Sequence, residues 1–455
     1  MIRPMNAELQ AQKFTHMTTD PIEQLVCRMA LPSVISMLIS AFYNLADTFF
    51  IGKISTEATA AIGVVFAYMV LIQAVSFFFG HGSGNYISRA LGRRDTGNAE
   101  KMAATGFFSA VFFGAALILP GLLLMEPFLR LLGATDTILP EAKNYFLYIL
   151  LSAPFLMGSL VLNNQMRLQG NARLGMIGIT AGALLNVALD PLLIFGCGMG
   201  VGGASLATGI SQTVSFLLLL WLSGRGDGIR VRLRAFSPSL HAYREILAGG
   251  LPSLGRQGLA SVATLCLNHA AGAYGDAAIA AFSVVSRITV IASSALIGFG
   301  QGFQPVCGFN YGAGLYDRVR RAFWFCVKLG TAVLVGLAAA EFVFAEPLIR
   351  LFRANDPDLL RIGTTALRYQ SVVFPLLGYI TITNMYLQTI RRTVPATVTA
   401  MARQGLIFLP VLLIAASVGG LTGIQLAQPV ADVLTFFLSL PLGLITLRRM
   451  GREGS

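Results

Sequence analysis

LPSVISMLISAFYNLADTFFIG, residues 31–52, is a 22-residue run whose one charged side chain is Asp47. The length decides its reading, because about 20 predominantly apolar residues cross the ~30 Å hydrocarbon core of a bilayer as a helix. An ionised carboxylate at that depth is costly. It usually faces a protein interior or a water cavity and takes part in transport. A second run, LGMIGITAGALLNVALDPLLIFG (174–196), carries Asp190 in the same way. The whole chain shares the composition of these two runs.

Soluble domains are about one quarter charged. Here 12% of residues are charged and 55% hydrophobic, and the mean hydropathy is +0.70. The bilayer is therefore the solvent. A transmembrane barrel would show ~10-residue alternating segments, and none is visible. The fold class is an all-α membrane protein. Hydropathy, Gly/Pro punctuation and charged breaks predict twelve spans, near 30–52, 58–80, 103–125, 138–161, 174–196, 202–223, 247–271, 277–300, 323–345, 364–388, 394–416 and 422–446. The polar start MIRPMNAELQAQKFTHMTTDPIEQ (1–24) has no apolar h-region, so the first span is expected to act as its own insertion signal.

Orientation follows from the basic residues. Arg89, Arg93, Arg94, Lys101, Arg167, Arg173, the linker arginines 225–244, Arg318, Arg320, Arg321, Arg391 and Arg392 fall on one side. Lys53, Arg130, Lys143, Arg350, Arg353, Arg361 and Arg368, a smaller set, fall on the other. Cytoplasmic loops hold the excess of Lys and Arg, so both termini are expected in the cytoplasm. The net charge of +12 needs no nucleic acid to explain it. Cys27, Cys197, Cys266, Cys307 and Cys326 form no C-x-x-C pair, and His16, His81, His241 and His269 are isolated in sequence, so no metal or other cofactor is expected.

Sliding the chain by 220 residues superposes it on itself. Leu31-Pro32-Ser33 falls on Leu251-Pro252-Ser253, Gly80, Gly82 and Gly92 on Gly300, Gly302 and Gly312, and Glu126-Pro127 with Arg130 on Glu346-Pro347 with Arg350. Six spans return the chain to its starting side, so the halves are parallel repeats about a pseudo-twofold axis along the membrane normal. That arrangement typifies secondary transporters. The expected organisation is an N-terminal segment 1–29, an N-lobe 30–223, a cytoplasmic linker 224–246, a C-lobe 247–447 and a tail 448–455, all in one monomer.

The two acids are predicted to meet. Asp47 lies near the end of the outward-running span 1, Asp190 near the end of span 5 and Thr208 just inside span 6. At ~1.5 Å per residue all three come ~6–9 Å inside the outer boundary. Tyr145 on span 4 reaches a similar level. Asn44 and Asn186, three and four residues before their acids, share the acids' helix faces. Packing hydrogen bonds are the ordinary fate of Asn, Thr and Tyr in membrane bundles. Two carboxylates at one depth are another matter, since each disfavours the other's ionised form and one can hold a proton at neutral pH. Protonation neutralises the site, whereas ionisation attracts a cation, which is the chemistry of an antiporter. The oxygens of Asp47, Asn186, Asp190 and Thr208 also suit Na⁺.

The second half does not repeat the acids. Leu267 takes the place of Asp47, and Phe408-Leu409-Pro410 stands near the counterpart of Asp190. It has instead the intramembrane residues Arg256, Arg287, Arg403 and Asp432, and Asp432 is expected to pair with Arg403 or Arg256. Gly80-His-Gly-Ser-Gly84 lacks the Lys-Ser/Thr and the preceding strand of a phosphate loop. It reads as a place of close helix packing and a bend into the next loop. Pro32 and Pro191, in the acid-bearing helices, can seed kinks, although Pro32 equally suits the start of span 1.

These residues carry a resemblance to the multidrug and toxic compound extrusion (MATE) family over almost the whole chain. They are Pro32 with Tyr43-Asn44-Leu45-Ala46-Asp47-Thr48 and Ile51-Gly52, the pair Asn186/Asp190, and Gly302-Phe-Gln-Pro-Val-Cys-Gly-Phe-Asn-Tyr-Gly-Ala313. The resemblance implies two six-helix lobes around a central cleft. It also implies export of cationic, often aromatic xenobiotics across a bacterial cytoplasmic (inner) membrane against H⁺ or Na⁺. It assigns coupling and the bending of span 1 at Pro32 to Asp47, with Tyr145, Asn163, Asn186, Asp190 and Thr208 as cavity partners. Span 7 carries Arg256 where some sodium-coupled members hold a C-lobe acid, which favours protons. One proton is sufficient energetically, since a pH unit is worth ~1.4 kcal/mol and a charge crossing 100 mV ~2.3 kcal/mol. The rival reading is a flippase for lipids or lipid-linked oligosaccharides from the same wider superfamily, for which the intramembrane arginines speak. A major-facilitator carrier lacks support without an Asp-Arg-x-Gly-Arg loop after span 2. An enzyme lacks support without a metal cluster or nucleophile triad.

Overall fold

The computed structural model describes residues 7–51, 54–224, 228–352 and 356–453; the side chains of 7, 45–49, 51, 56–57 and 451–453 lie outside that description. The chain is almost wholly helical, as burial in hydrocarbon requires when every backbone polar group must be satisfied within its own segment. In chain order the helices are α1 Ala7–Thr19, α2 Ile22–Ile51, α3 Thr56–Gly92, α4 Thr96–Ala116, α5 Ile118–Leu123, α6 Met125–Leu131, α7 Leu139–Leu168, α8 Ala172–Pro191 and α9 Gly200–Ser223. The second half holds α10 Leu240–Gly272, α11 Asp276–Gly312, α12 Tyr316–Val343, α13 Ala345–Arg350, α14 Pro357–Val373, α15 Leu376–Thr389, α16 Thr393–Met401 and α17 Phe408–Glu453. Side chains of Ser55, Asp95, Ser239 and Asp356 cap the starts of α3, α4, α10 and α14 by accepting from backbone N–H groups that have no partner inside the helix.

Among the described residues nine helical stretches are long and apolar enough to cross a membrane. The difference from the twelve expected spans has local causes. The stretch from Thr393 to Met450 counts once, but Gly420 breaks α17 with φ 55° and ψ −134°, a conformation that glycine adopts at no steric cost. Pro375 interrupts the α14–α15 pair, leaving pieces of 17 and 14 residues. The second half of α10 carries Arg256, Gln257, Asn268 and His269, which lower its hydropathy.

The sequence repeat reappears in the helix boundaries. Helices α3 and α11 are both 37 residues long and shifted by 220 at each end (56 to 276, 92 to 312), and the starts of α4 and α12 keep the same shift. The cores interleave. Ala242 and Ile246 at the start of α10 pack in the core of the first half, while Ile22, Leu25, Val26 and Met29 at the start of α2 pack in that of the second. Each half's first helix thus begins inside the other half.

Four expectations change. Span 1 begins at Ile22 rather than 30, so Pro32 is an interior residue of α2 and does not start it. The linker ends at 239, because Ser239 caps α10. The segment 1–29 is not one polar extension: α1 covers 7–19, and Met17 is buried against the second half. The bend expected at Gly80–Gly84 is absent, and α3 continues to Gly92. The reason is packing. A Cβ on Gly82 would run into the backbone of Ile246, one on Gly84 into Leu168, and one on Gly302 into Ala30. At the crossing of α3 and α11, Gly92 faces the Phe309 carbonyl and Gly312 faces that of Arg89, a reciprocal contact at the 220-residue shift.

This crossing predicts that Gly92→Ala or Gly312→Ala destabilises the protein by about 1–3 kcal/mol, since a methyl group forced into a packed contact shifts backbone. The control is Gly336→Ala, where nothing lies within 4 Å. Thermal unfolding in detergent should separate them; equal midpoints for all variants would refute the tight crossing.

Candidate functional site

In the first half, α8 and α9 are held together by small residues. A Cβ on Gly182 would meet Ser215 at 2.9 Å, and one on Gly203 the backbone of Leu193 at 2.7 Å. This closeness lets short polar side chains span the two helices. Asp190 is fully buried, as are Asn186 (2% exposed) and Thr208 (4%). The Thr208 N–H is a donor, so the Asn186 amide turns its oxygen to Thr208, accepting from its N–H at 3.2 Å and from Oγ1 at 3.3 Å. Its Nδ2 then donates to Asp190 Oδ2 at 3.2 Å. Pro191 cannot donate a backbone hydrogen bond, and the helix continues as a π-turn over Leu192–Gly196 directly after the acid.

The other predicted residues of this half sit in different surroundings. Asp47 is on the last turns of α2, and its side chain lies outside the described residues. Asn44 is exposed, and its Nδ2 donates to the Ser40 carbonyl at 2.8 Å. Tyr145 is 1% exposed in the first-half core, with its hydroxyl 3.8 Å from Met69 Sδ. Asn163 stands apart from Asp190: its side chain abuts Gly175, 15 residues earlier on α8, which is ~22 Å along a helix. It lines a separate small cavity of about 50 Å³ with Ser33, Ser36, Ser40 and Gln301. Asn163 and Asp190 therefore stand at different levels of the first half.

The second half contains a larger cavity, about 440 Å³, lined by residues of α10, α11, α14, α15, α16 and α17. Behind its wall the fully buried Asp432 accepts from three lining residues, Arg403 Nε at 2.8 Å, Gln428 Nε2 at 2.9 Å and Gln370 Nε2 at 2.9 Å. Of the two arginines considered, Arg403 is the one that pairs with it; Arg256 lines the same cavity. Arg403 sits in a π-turn, Ala402–Leu406, so a charged residue accompanies a π-turn in each half. Arg287 is exposed.

A third polar group joins the halves at one end of the bundle. Arg89 is buried, and it donates to the Thr389 carbonyl at 2.6 Å and to Glu245 Oε2 at 3.1 Å; Arg391 pairs with Glu245 Oε1 at 2.6 Å. Nearby, Arg167 donates to the Gln301 carbonyl and to Gln304 Oε1. His81 Nδ1 lies 2.8 Å from Ser253 Oγ, which also accepts from Gln388 Nε2. Sequence reading placed these charges in loops and missed the cluster, since partners 156 and 300 residues apart leave no local signal. Gln428 could have been found, being four residues before Asp432 on one helix face.

A family model described as MatE matches the chain twice, over residues 32–192 and 252–414. The multidrug export protein MepA of Staphylococcus aureus is 27% identical over 428 residues, covering 94% of each chain. Among solved structures, one titled as the outward-facing conformation of a multidrug resistance MATE family transporter of the MOP superfamily is similar at TM-score 0.90 and 25% identity, covering 96% of this chain and 98% of that one. Another, a MATE in the straight conformation, gives TM-score 0.91 at 25% identity, covering 96% and 99%.

The pairing of the buried Asp432 with the partly exposed Arg403 has a measurable consequence. Asp432→Asn leaves Arg403 without its counter-charge and should destabilise the protein by about 3–5 kcal/mol, whereas the double variant Arg403→Met/Asp432→Leu should recover most of that loss. Unfolding midpoints of the wild type and the two variants test this, and a double variant no more stable than Asp432→Asn would refute the coupling.

Proposed function

The chain belongs to the MatE family, the multidrug and toxic compound extrusion transporters, and on that premise we propose that it is a secondary multidrug efflux antiporter that exports organic cations in exchange for protons. Two matches to the family model, beginning 220 residues apart, accord with a duplicated transporter. The layout proposed is twelve membrane crossings in two parallel six-helix lobes, with both termini cytoplasmic, acting as a monomer in a bacterial cytoplasmic membrane. Splitting the last stretch at Gly420 and adding α10 and the α14–α15 pair brings the nine apolar stretches to that number.

The single observation that carries the coupling assignment is the fully buried Asp190 held by Asn186 against Thr208 in the first half. A carboxyl group removed from water favours its neutral form until an aqueous path or a cation reaches it. Such a group binds a proton from the side where water enters and releases it when the path changes. Asp47 is assigned to the same task, one helix away. Neutralising the pair lets α2 repack against α8, with interior Pro32 as the bending point, since no hydrogen bond ties its nitrogen to the preceding turn. Na⁺ is the alternative coupling ion, and the Asp190, Asn186 and Thr208 oxygens would be its ligands.

The arrangement of the halves supports an outward-facing state. The Gly92/Gly312 crossing and the Arg89–Glu245–Arg391 cluster gather at the end assigned to the cytoplasm and close it. Alternating access then requires this end to part. Removing the shared anion should ease that step. In Glu245→Gln the two arginines repel, and the loss of two charge-assisted contacts should raise the open population about tenfold or more. Spin labels at the exposed positions Gly97 and Arg392, one in each half, should show a longer-distance component, and an unchanged distribution would refute the latch.

The function is tested by ethidium efflux in inverted membrane vesicles, with pH and Na⁺ gradients imposed separately. The pH gradient should drive transport, and Asp47→Asn and Asp190→Asn should each reduce it to background. Normal pH-driven efflux by both variants would sink the site assignment. Drive by Na⁺ alone would move the coupling ion to sodium. No dye transport, with flipping of lipid-linked precursors instead, would favour the flippase reading to which the arginines of the second half lend weight.

A further inference from the structure

The second-half cavity of about 440 Å³ falls in the size range of small-molecule sites. Its wall is amphipathic. Phe282, Leu296 and Phe408 supply apolar surface, while Gln257, Gln404 and Gln428 supply amides. Two guanidinium groups reach it, and they differ in one respect. Arg403 is neutralised by Asp432, whose carboxylate is also occupied by Gln370 and Gln428. Arg256 has no carboxylate partner among the described residues, and it shares the cavity wall with Arg403, a charge of the same sign.

Taken together, the three charged groups leave one positive charge uncompensated. A cation in a low-dielectric wall is costly unless paired, so a cavity built around one is a poor host for a cationic guest. It is a good host for an anion. The guanidinium presents a planar fork of donors that matches a carboxylate or phosphate bidentately, and the surrounding amides can complete the contacts. The apolar part of the wall then suits a hydrocarbon or aromatic body.

We propose that this cavity is a binding site for amphipathic organic anions, with Arg256 as the counter-ion of a carboxylate or phosphate oxygen. The two halves thereby prefer guests of opposite charge, the first by Asp190, the second by Arg256. Binding here does not depend on the ion or the drugs of the export reading, and it can be measured without transport.

The probes are 2-naphthoate and 2-naphthamide, similar in shape and different in charge. Equilibrium dialysis against the purified full-length protein in a neutral detergent should give at least about tenfold tighter binding of the carboxylate, the discrimination expected of a charge-assisted contact. Arg256→Gln should abolish the difference, and Arg256→Lys, which keeps the charge but loses the fork, should retain part of it. The retained part in the lysine variant guards against mistaking a misfolded glutamine variant for a lost site. Asp190→Asn should keep the full difference even though its antiport is lost, so failure of the export reading and failure of this one give different patterns. Equal affinity for the two probes, or a preference that survives in Arg256→Gln, would overturn the proposal. The same measurement in nanodiscs with and without phosphatidylglycerol identifies the source of the anion. Competition by that lipid assigns the site to a headgroup phosphate; undiminished naphthoate binding assigns it to a soluble carboxylate.

Discussion

The constraint on which much of this molecule depends is the approach of two backbones at the crossing of α3 and α11, where Gly92 and Gly312 each face a carbonyl of the other helix. Lipid tails are as apolar as leucine, so helices in a bilayer are drawn together by close contact and hydrogen bonds rather than by exclusion of water. Glycines permit the contact, and the polar partners then come within reach. Arg89, just before Gly92, meets Glu245 and the Thr389 carbonyl because the crossing brings α3 against the second half. The exchange of helix starts between the two cores secures the same end. One end of the bundle is thereby fixed, and the helices that carry the charged sites extend away from it.

From that frame the halves diverge. Both place a π-turn beside a charged residue, after the buried Asp190 in one and around the partly exposed Arg403 in the other. The first half keeps a carboxyl group satisfied by an amide and set between two helices in van der Waals contact. The second keeps an ion pair, a cavity and an arginine facing it. Duplication preserved helix lengths to the residue in α3 and α11, while the chemistry of the interior was free to change, because packing at the crossing depends on glycines and not on the sites.

Much of this was legible from residue order. The apolar runs around Asp47 and Asp190 follow from local physics, the thickness of hydrocarbon and the cost of a charge within it, and the 220-residue offset is visible by sliding the chain along itself. The partnership of Asn186 with Asp190 was legible for the same reason, as four residues on a helix share a face. Helix ends were less so. Gly80–Gly84 reads as a break because glycine is a poor helix former, but tertiary contact with Ile246 and Leu168 overrides that preference.

What the sequence by itself determined is an all-helical, membrane-embedded, duplicated chain whose first half carries Asp47 and Asp190 within apolar runs that the second half does not repeat, since each of those properties is set by composition or by residue spacing. The tertiary structure alone decided that Asp432 pairs with Arg403, that Asn163 lies far from Asp190, that Glu245 joins Arg89 to Arg391, and that Arg256 faces a cavity. Those facts depend on which helix faces meet, and that is settled by packing between different helices, with partners from 29 (Arg403–Asp432) to 156 (Arg89–Glu245) positions apart, where the sequence carries no periodic signal.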